Sequence, residues 1–327
     1  MIFFERLNAG SYSIAEREER RSAMDLYSEI IYNVPHVIPV GYLIAIYFYI
    51  TGLHMGFYTT SVVATLLGKE EWKPIGKIGA VGALVVLAIA PIFLLVDLTQ
   101  PLRFWHLFSY INWRSAISWG TFFLTAYPPI GLIYAWCVLK GNYRAAKIWG
   151  LFGFPIAISV HGYTGFILAL AKGRAFWNTP LNPILFLVSA MVSGLALIII
   201  ILNIRARYLA QAEELKAADF RITNQLVVMM YIFLIIEIFL MGCDIAVLAN
   251  SRTDEYEMYQ LLTRGEWAPL FLGVELTLGG LIPLILLSIK RIRLRSAWQC
   301  TACAFILCGI FAMRVIIVLG GQSVRLH

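Results

Sequence analysis

From about residue 37 onward, long apolar stretches alternate with short charged ones. Eight of them, near 37–67, 75–97, 115–139, 146–171, 180–203, 224–249, 267–289 and 298–320, can cross a hydrocarbon core of roughly 30 Å, which takes about 20 helical residues. Helix is the required form, because lipid offers no partner to an exposed backbone amide or carbonyl. The alternating pattern of a membrane strand is absent. The pattern therefore predicts an all-α polytopic membrane protein with eight transmembrane helices. Its longest polar stretch, 204–223, reads as a cytoplasmic connector. The helices then divide into two four-helix bundles, the first within 36–203 and the second, helices 5–8, over 180–320. Ahead of the first span, residues 11–33 carry charge where a signal peptide would be apolar. A Ser13–Glu16 capping box and an apolar stripe of Ala23, Tyr27, Ile30 and Ile31 predict a short amphipathic helix within 1–35, lying on the membrane.

Composition agrees and adds sidedness. The 327 residues are 60% hydrophobic and only 14% charged, well below a soluble domain's share. Fourteen Lys and Arg residues fall in the loops joining helices 1–2, 3–4, 5–6 and 7–8, against seven in the other loops and the carboxyl tail. The positive-inside rule places the first set in the cytoplasm. Both termini and the 97–115 loop then face the periplasm, and the chain crosses the inner membrane. The net charge of +7 belongs to these loops and carries no nucleic-acid signature. All five cysteines (137, 243, 300, 303 and 308) lie inside predicted helices. The Cys300–Cys303 pair has neither a second pair nor a neighbouring histidine, so packing rather than metal binding is expected.

Ionisable groups inside a bilayer are costly, and each needs a partner or a job. Sorted by depth, Tyr47 on helix 1, Tyr163 and His161 on helix 4, and Asp97 at the end of helix 2 fall in the outer half of the first bundle. His54 follows Tyr47 by seven residues, on the same face and nearer the centre. A phenol, an imidazole and a carboxylate at that depth suit a quinone. Its carbonyls accept hydrogen bonds, and its reduction takes up two protons with two electrons. On a packing reading, the tyrosines are belt residues and the histidines bond across helices. The second half carries Glu237, Asp244, Glu275 and Arg314. They form either a charge cluster in which Arg314 neutralises Asp244 or Glu275, or a proton route with Glu237 as its mid-membrane step. Pro91, Pro155 and Pro283 are expected to kink their helices.

The loop between helices 2 and 3 holds Arg103, Trp105, His106 and Arg114, more basic and aromatic groups than a turn requires. A docking surface is expected there. Its run Asp97-Leu-Thr-Gln-Pro101-Leu-Arg103-Phe-Trp105, followed by Ser118-Trp119-Gly120, resembles the NrfD/PsrC family pattern DLGRPxRFW and S-W-G. Tyr163-Thr-Gly165 through Lys172-Gly-Arg174-Ala-Phe-Trp177-Asn178-Thr-Pro180-Leu is similar to the family's Y-T-G…R-P-x-W-N-T-P-L block. Gly52 and Gly56 on helix 1, and Glu275, Gly279 and Pro283 on helix 7, also fit. The likeness covers most of residues 35–320.

The resemblance implies a quinone-reactive membrane anchor of a respiratory complex, with menaquinone or ubiquinone as substrate and no bound metal or haem of its own. Its implied partners are a periplasmic subunit with four iron–sulfur clusters and, through it, a molybdopterin catalytic subunit. It further implies that Tyr163 serves the quinone site, and that Arg174 and the 97–115 loop face the iron–sulfur partner. Where the family places a helix-1 histidine, this chain has Tyr47, so either Tyr47 or the deeper His54 fills that role. Two other classes compete. A haem-b cytochrome would use His54 and His161 as an axial pair. A proton-coupled secondary transporter would use the buried carboxylates as ion sites.

Overall fold

In a computed structural model, residues 40–97, 101–103, 105–174, 176–208, 213–251 and 254–324 are described. The expected amphipathic helix at 11–33 lies outside them. Eight long helices run through the rest: α1 Tyr42–Leu67, α2 Lys73–Asp97, α3 Ala116–Leu139, α4 Tyr143–Ala169, α5 Leu181–Tyr208, α6 Glu213–Asn250, α7 Pro269–Ser288 and α8 Ser296–Gly320. All eight are long and apolar enough to cross a membrane, and no strand occurs among the described residues. The chain is a multi-pass α-helical membrane protein.

The turns follow from local chemistry. Gly68 takes the left-handed conformation (φ 65°) that closes α1, its amide reaching Ala64 O. Gly141 does the same after α3 (φ 75°), and the Asn142 side chain then caps α4 by accepting from the Ala145 amide at 3.2 Å. At this end of the molecule Arg221 meets Glu71 at 3.5 Å and the Lys73 ammonium lies over the Tyr143 ring. At the other end the Gln322 amide pairs with both backbone groups of Val40, at 3.2 and 2.9 Å. The Asp97 carboxylate lies against Gly41 at that same end.

Within the stretch 204–223, expected as a connector, residues 204–208 and 213–223 are helical. α5 runs on to Tyr208 and α6 already begins at Glu213. The local Ala, Glu, Leu and Lys are strong helix formers, and Arg205 meets the buried Asp219 at 3.5 Å across the junction. At 38 residues α6 is about 57 Å long, nearly twice a bilayer core, so one end stands outside it.

α1 is the central helix, touching α2, α4, α5 and α8. Small residues bring backbones together without a hydrophobic drive, as membrane packing requires. A Cβ on Gly56 of α1 would sit 2.7 Å from the Gly194 Cα of α5. A Cβ on Gly279 of α7 would sit 2.5 Å from the Gly309 Cα of α8. α7 is wound as a π-helix from Pro269 to Leu281, and the Thr277 hydroxyl donates to Leu272 O, five residues back, at 2.6 Å. Pro283, which has no N–H, falls in the turn that follows, while Pro91 and Pro155 sit inside α2 and α4 as expected. Pro128 and Pro129 also lie inside α3, which continues through them.

Candidate functional site

The phenols of Tyr47 (α1) and Tyr163 (α4) hydrogen-bond to one another in the buried interior. The Tyr163 ring lies flush on Gly120, where an added Cβ would come within 2.6 Å of the ring, so the glycine of the S-W-G run makes room for the phenol. Two phenols carry two protons, and their mutual bond uses one. The other finds no acceptor among the described residues and can be donated to a ligand carbonyl. Tyr47, and not His54, is the α1 group bonded to Tyr163. Asp97 lies about two turns nearer the membrane edge, beside Gly41.

His161, about half a turn from Tyr163 on α4, is fully buried. Its Nε2 lies 3.0 Å from Phe186 O on α5 and its Nδ1 lies 3.3 Å from Thr51 Oγ1 on α1. Donation to the carbonyl fixes the proton on Nε2 and leaves Nδ1 as acceptor. Both nitrogens therefore face protein partners, which does not suit an axial haem ligand. His54 is also fully buried, edge-on to Tyr127 of α3 with ring centroids 4.5 Å apart, yet neither of its nitrogens has a partner among the described residues.

In the second half, the ion pair expected of Arg314 with Asp244 or Glu275 does not form. The guanidinium stacks 3.7 Å from the Phe186 ring centroid and donates through one Nη to Ser189 Oγ at 2.5 Å and Phe186 O at 3.3 Å. A planar cation takes the aromatic face and α5 acceptors, which hold it away from the α7 carboxylate. Its Nε and other Nη, and one oxygen each of Glu237 and Glu275, have no hydrogen-bond partner among the described residues. Arg314, Glu237 and Glu275 remain within electrostatic reach of one another. Two cavities of about 20 Å³ each lie here, one bordered by Asp244 and Glu275 and the other by Glu237 and Glu275. Each has room for about one water. Phe186 O thus receives His161 from α4 and Arg314 from α8.

The periplasm-assigned loops divide. Arg103, Trp105 and Arg114 are exposed, with Trp105 lying against the half-buried His106 at the start of a short helix, His106–Ser109. Arg174, grouped with them from the sequence, has another job: its Nη1 donates to Gln322 O at 3.2 Å and Val324 O at 2.7 Å. Trp177 donates to Ile317 O at 2.5 Å, and Asn182 closes the turn onto Phe176 O and Trp177 O. This block fastens the α4–α5 loop to the end of α8. Sequence reasoning passed over Thr51, Tyr58, Tyr127 and Ser189. For the first two, the signal was polar residues at alternating three- and four-residue spacing along α1.

Compared with known families, residues 33–325 match the model described as "Polysulphide reductase, NrfD". The chain belongs to the NrfD family. A polysulfide reductase chain of Wolinella succinogenes is 27% identical to this NrfD-family chain over 327 residues, covering 92% of it and 97% of the relative. A selenate reductase subunit of Mesobacillus selenatarsenatis is 24% identical over 292 residues (77% and 67%). An Hdr-like menaquinol oxidoreductase integral membrane subunit of Archaeoglobus fulgidus is 26% identical over 162 residues (50% and 41%).

Proposed function

We propose that this NrfD-family chain is the quinone-reactive membrane anchor of an inner-membrane respiratory oxidoreductase. It exchanges electrons with a periplasmic subunit carrying four iron–sulfur clusters, which in turn serves a molybdopterin catalytic subunit. The observation that carries the reading is the buried Tyr47–Tyr163 phenol pair, with one proton to spare, between α1 and α4. A quinone carbonyl is the acceptor that such a donor fits, and menaquinone or ubiquinone supplies it. His161, held in one tautomer by Phe186 O, faces Thr51, whose hydroxyl donates to Phe48 O at 3.0 Å. Asp97, nearer the membrane edge, is placed to exchange protons with water. The exposed Arg103, Trp105 and Arg114 give the iron–sulfur partner a surface at the same end. Names of relatives that include two reductase components and a menaquinol oxidoreductase subunit support the class.

The test is Tyr163→Phe in the assembled complex. It keeps the ring on Gly120 and removes only the hydroxyl. Quinol-driven electron flow is expected to fall about a hundredfold, the scale of a lost proton donor, with subunit composition unchanged. Full quinol activity in that variant overturns the assignment.

A further inference from the structure

The turn between α7 and α8 carries the densest run of cations in the chain. Lys290, Arg291, Arg293 and Arg295 fall within six residues, and no acidic residue follows Glu275 in the sequence. α7 ends at Ser288 and α8 starts at Ser296, so the turn lies where two membrane-spanning helices leave the hydrocarbon, at headgroup depth. Lys290, Arg291 and Arg295 are exposed and Arg293 is half-buried. None of the four is ion-paired among the described residues. At the same end Asp219 and Glu71 are taken by Arg205 and Arg221, each at 3.5 Å.

The turn is held rigidly. Ile289 O accepts from the amides of Ile292 and Arg293 at 3.0 and 2.9 Å, which winds Lys290–Arg293 into a single helical turn. The fully buried Gln299 side chain of α8 then clamps it. Its Nε2 donates to Arg293 O at 2.7 Å and to Asn224 Oδ1 of α6 at 2.8 Å, while its Oε1 accepts from Asn203 of α5 at 3.1 Å. Orienting a chain in the membrane needs cations in a loop and no fixed geometry. Four cations fixed side by side repel one another, and an anion in contact with them removes that penalty.

The surroundings of the cations narrow the class of anion. Ile285 and Ile289 before them, and Leu294 and Trp298 after them, are between 40% and 59% exposed. A soluble phosphate has no use for such a border. A phospholipid does: its phosphate meets the cations, its acyl chains lie along the helices, and the indole sits at headgroup level. Four cations also exceed what one singly charged phosphodiester neutralises.

We propose that the α7–α8 turn is a binding site for an anionic phospholipid with two phosphodiesters in one headgroup. Its phosphates contact Lys290, Arg291 and Arg295, and its acyl chains pass Ile285 and Trp298. The site lies at the far end of α8 from the Trp177–Ile317 contact and does not depend on the quinone reading.

The test titrates the full chain, delipidated in detergent, with cardiolipin, phosphatidylcholine and, as a doubly phosphorylated anion without chains, inorganic pyrophosphate, and reads binding by native mass spectrometry. Cardiolipin is expected to bind at least tenfold more tightly than either of the others. Each cation beside an anionic headgroup is worth about fivefold in affinity. Lys290→Gln, Arg291→Gln and Arg295→Gln together, which leave the Gln299 clamp intact, should therefore weaken cardiolipin at least tenfold. Lys140→Gln, Arg144→Gln and Lys147→Gln, which remove three cations from the α3–α4 turn at the same end, should leave it within about twofold. Equal affinity for cardiolipin and phosphatidylcholine overturns the site. Equal loss in the two triple variants also overturns it, in favour of diffuse surface charge. Pyrophosphate binding as tightly as cardiolipin overturns the lipid assignment in favour of a soluble anion. Protection of Lys290 from amine acetylation in the delipidated intact complex overturns it in favour of a protein partner.

Discussion

The loops at 101–115 and 170–178 share a membrane end and a composition of arginine and tryptophan, yet one faces outward and the other is folded into the protein. Around 101–115, Trp119 Nε1 donates to Trp113 O at 3.0 Å and the indole of Trp113 stacks on Phe122. The Arg103 and Arg114 guanidinium groups are exposed and make no bond among the described residues. At 170–178 the end of α8 decides the matter. A helix end leaves carbonyls without intrahelical donors, and the last turn of α8, Ile316–Gly320, is wound as a π-helix. Trp177 meets one of them at Ile317, and Arg174 meets the carbonyls of Gln322 and Val324 just beyond the helix. Composition names the donors; the nearest unpaired acceptor decides whether they serve the fold or a partner.

The sharpest way to break that contrast is Trp177→Ala. It removes a buried indole and orphans the Ile317 carbonyl, and should destabilise the chain by about 3–5 kcal/mol, read as a lower melting temperature in detergent. Arg174→Ala should cost about 2 kcal/mol by removing charge-assisted bonds to two carbonyls, without altering attachment of a periplasmic partner once folded. If that variant melts normally and sheds its partner, the two loops are alike after all. The paired change Arg103→Glu and Arg114→Glu should do the opposite. Stability should stay within about 0.5 kcal/mol, while partner retention on native gels falls at least tenfold and becomes more salt-sensitive. Smallest of all, Trp113→Ala, at an exposed ring, should leave melting almost unchanged and weaken partner binding only modestly.

Some of the contacts around the candidate site were legible in advance. Depth along predicted helices put Tyr47, Tyr163 and His161 together, and the structure bonds the first two directly and brings the third to Thr51. The family pattern left Tyr47 and His54 as alternatives, and a direct phenol–phenol contact could not be read from helical phase alone. Glu237 and Glu275 do border one small cavity. The expected pairing of Arg314 failed because opposite charges in neighbouring spans say nothing about rotamer. The Phe186 ring and Ser189 hydroxyl of α5 hold the guanidinium instead.

Hydrophobic runs of bilayer length, and the inability of lipid to pair backbone groups, determined by themselves that this chain folds as eight membrane helices. The heptad-like spacing of a stripe of polar residues on α1, from Tyr47 to Thr65, also stood in the sequence. Only the tertiary structure decided which helices meet that stripe, and which of its polar groups go without a partner. Those outcomes depend on where glycines such as Gly56, Gly120 and Gly194 let neighbouring helices and rings close in. Such approaches are set by packing between residues far apart in the chain, and no local pattern encodes them.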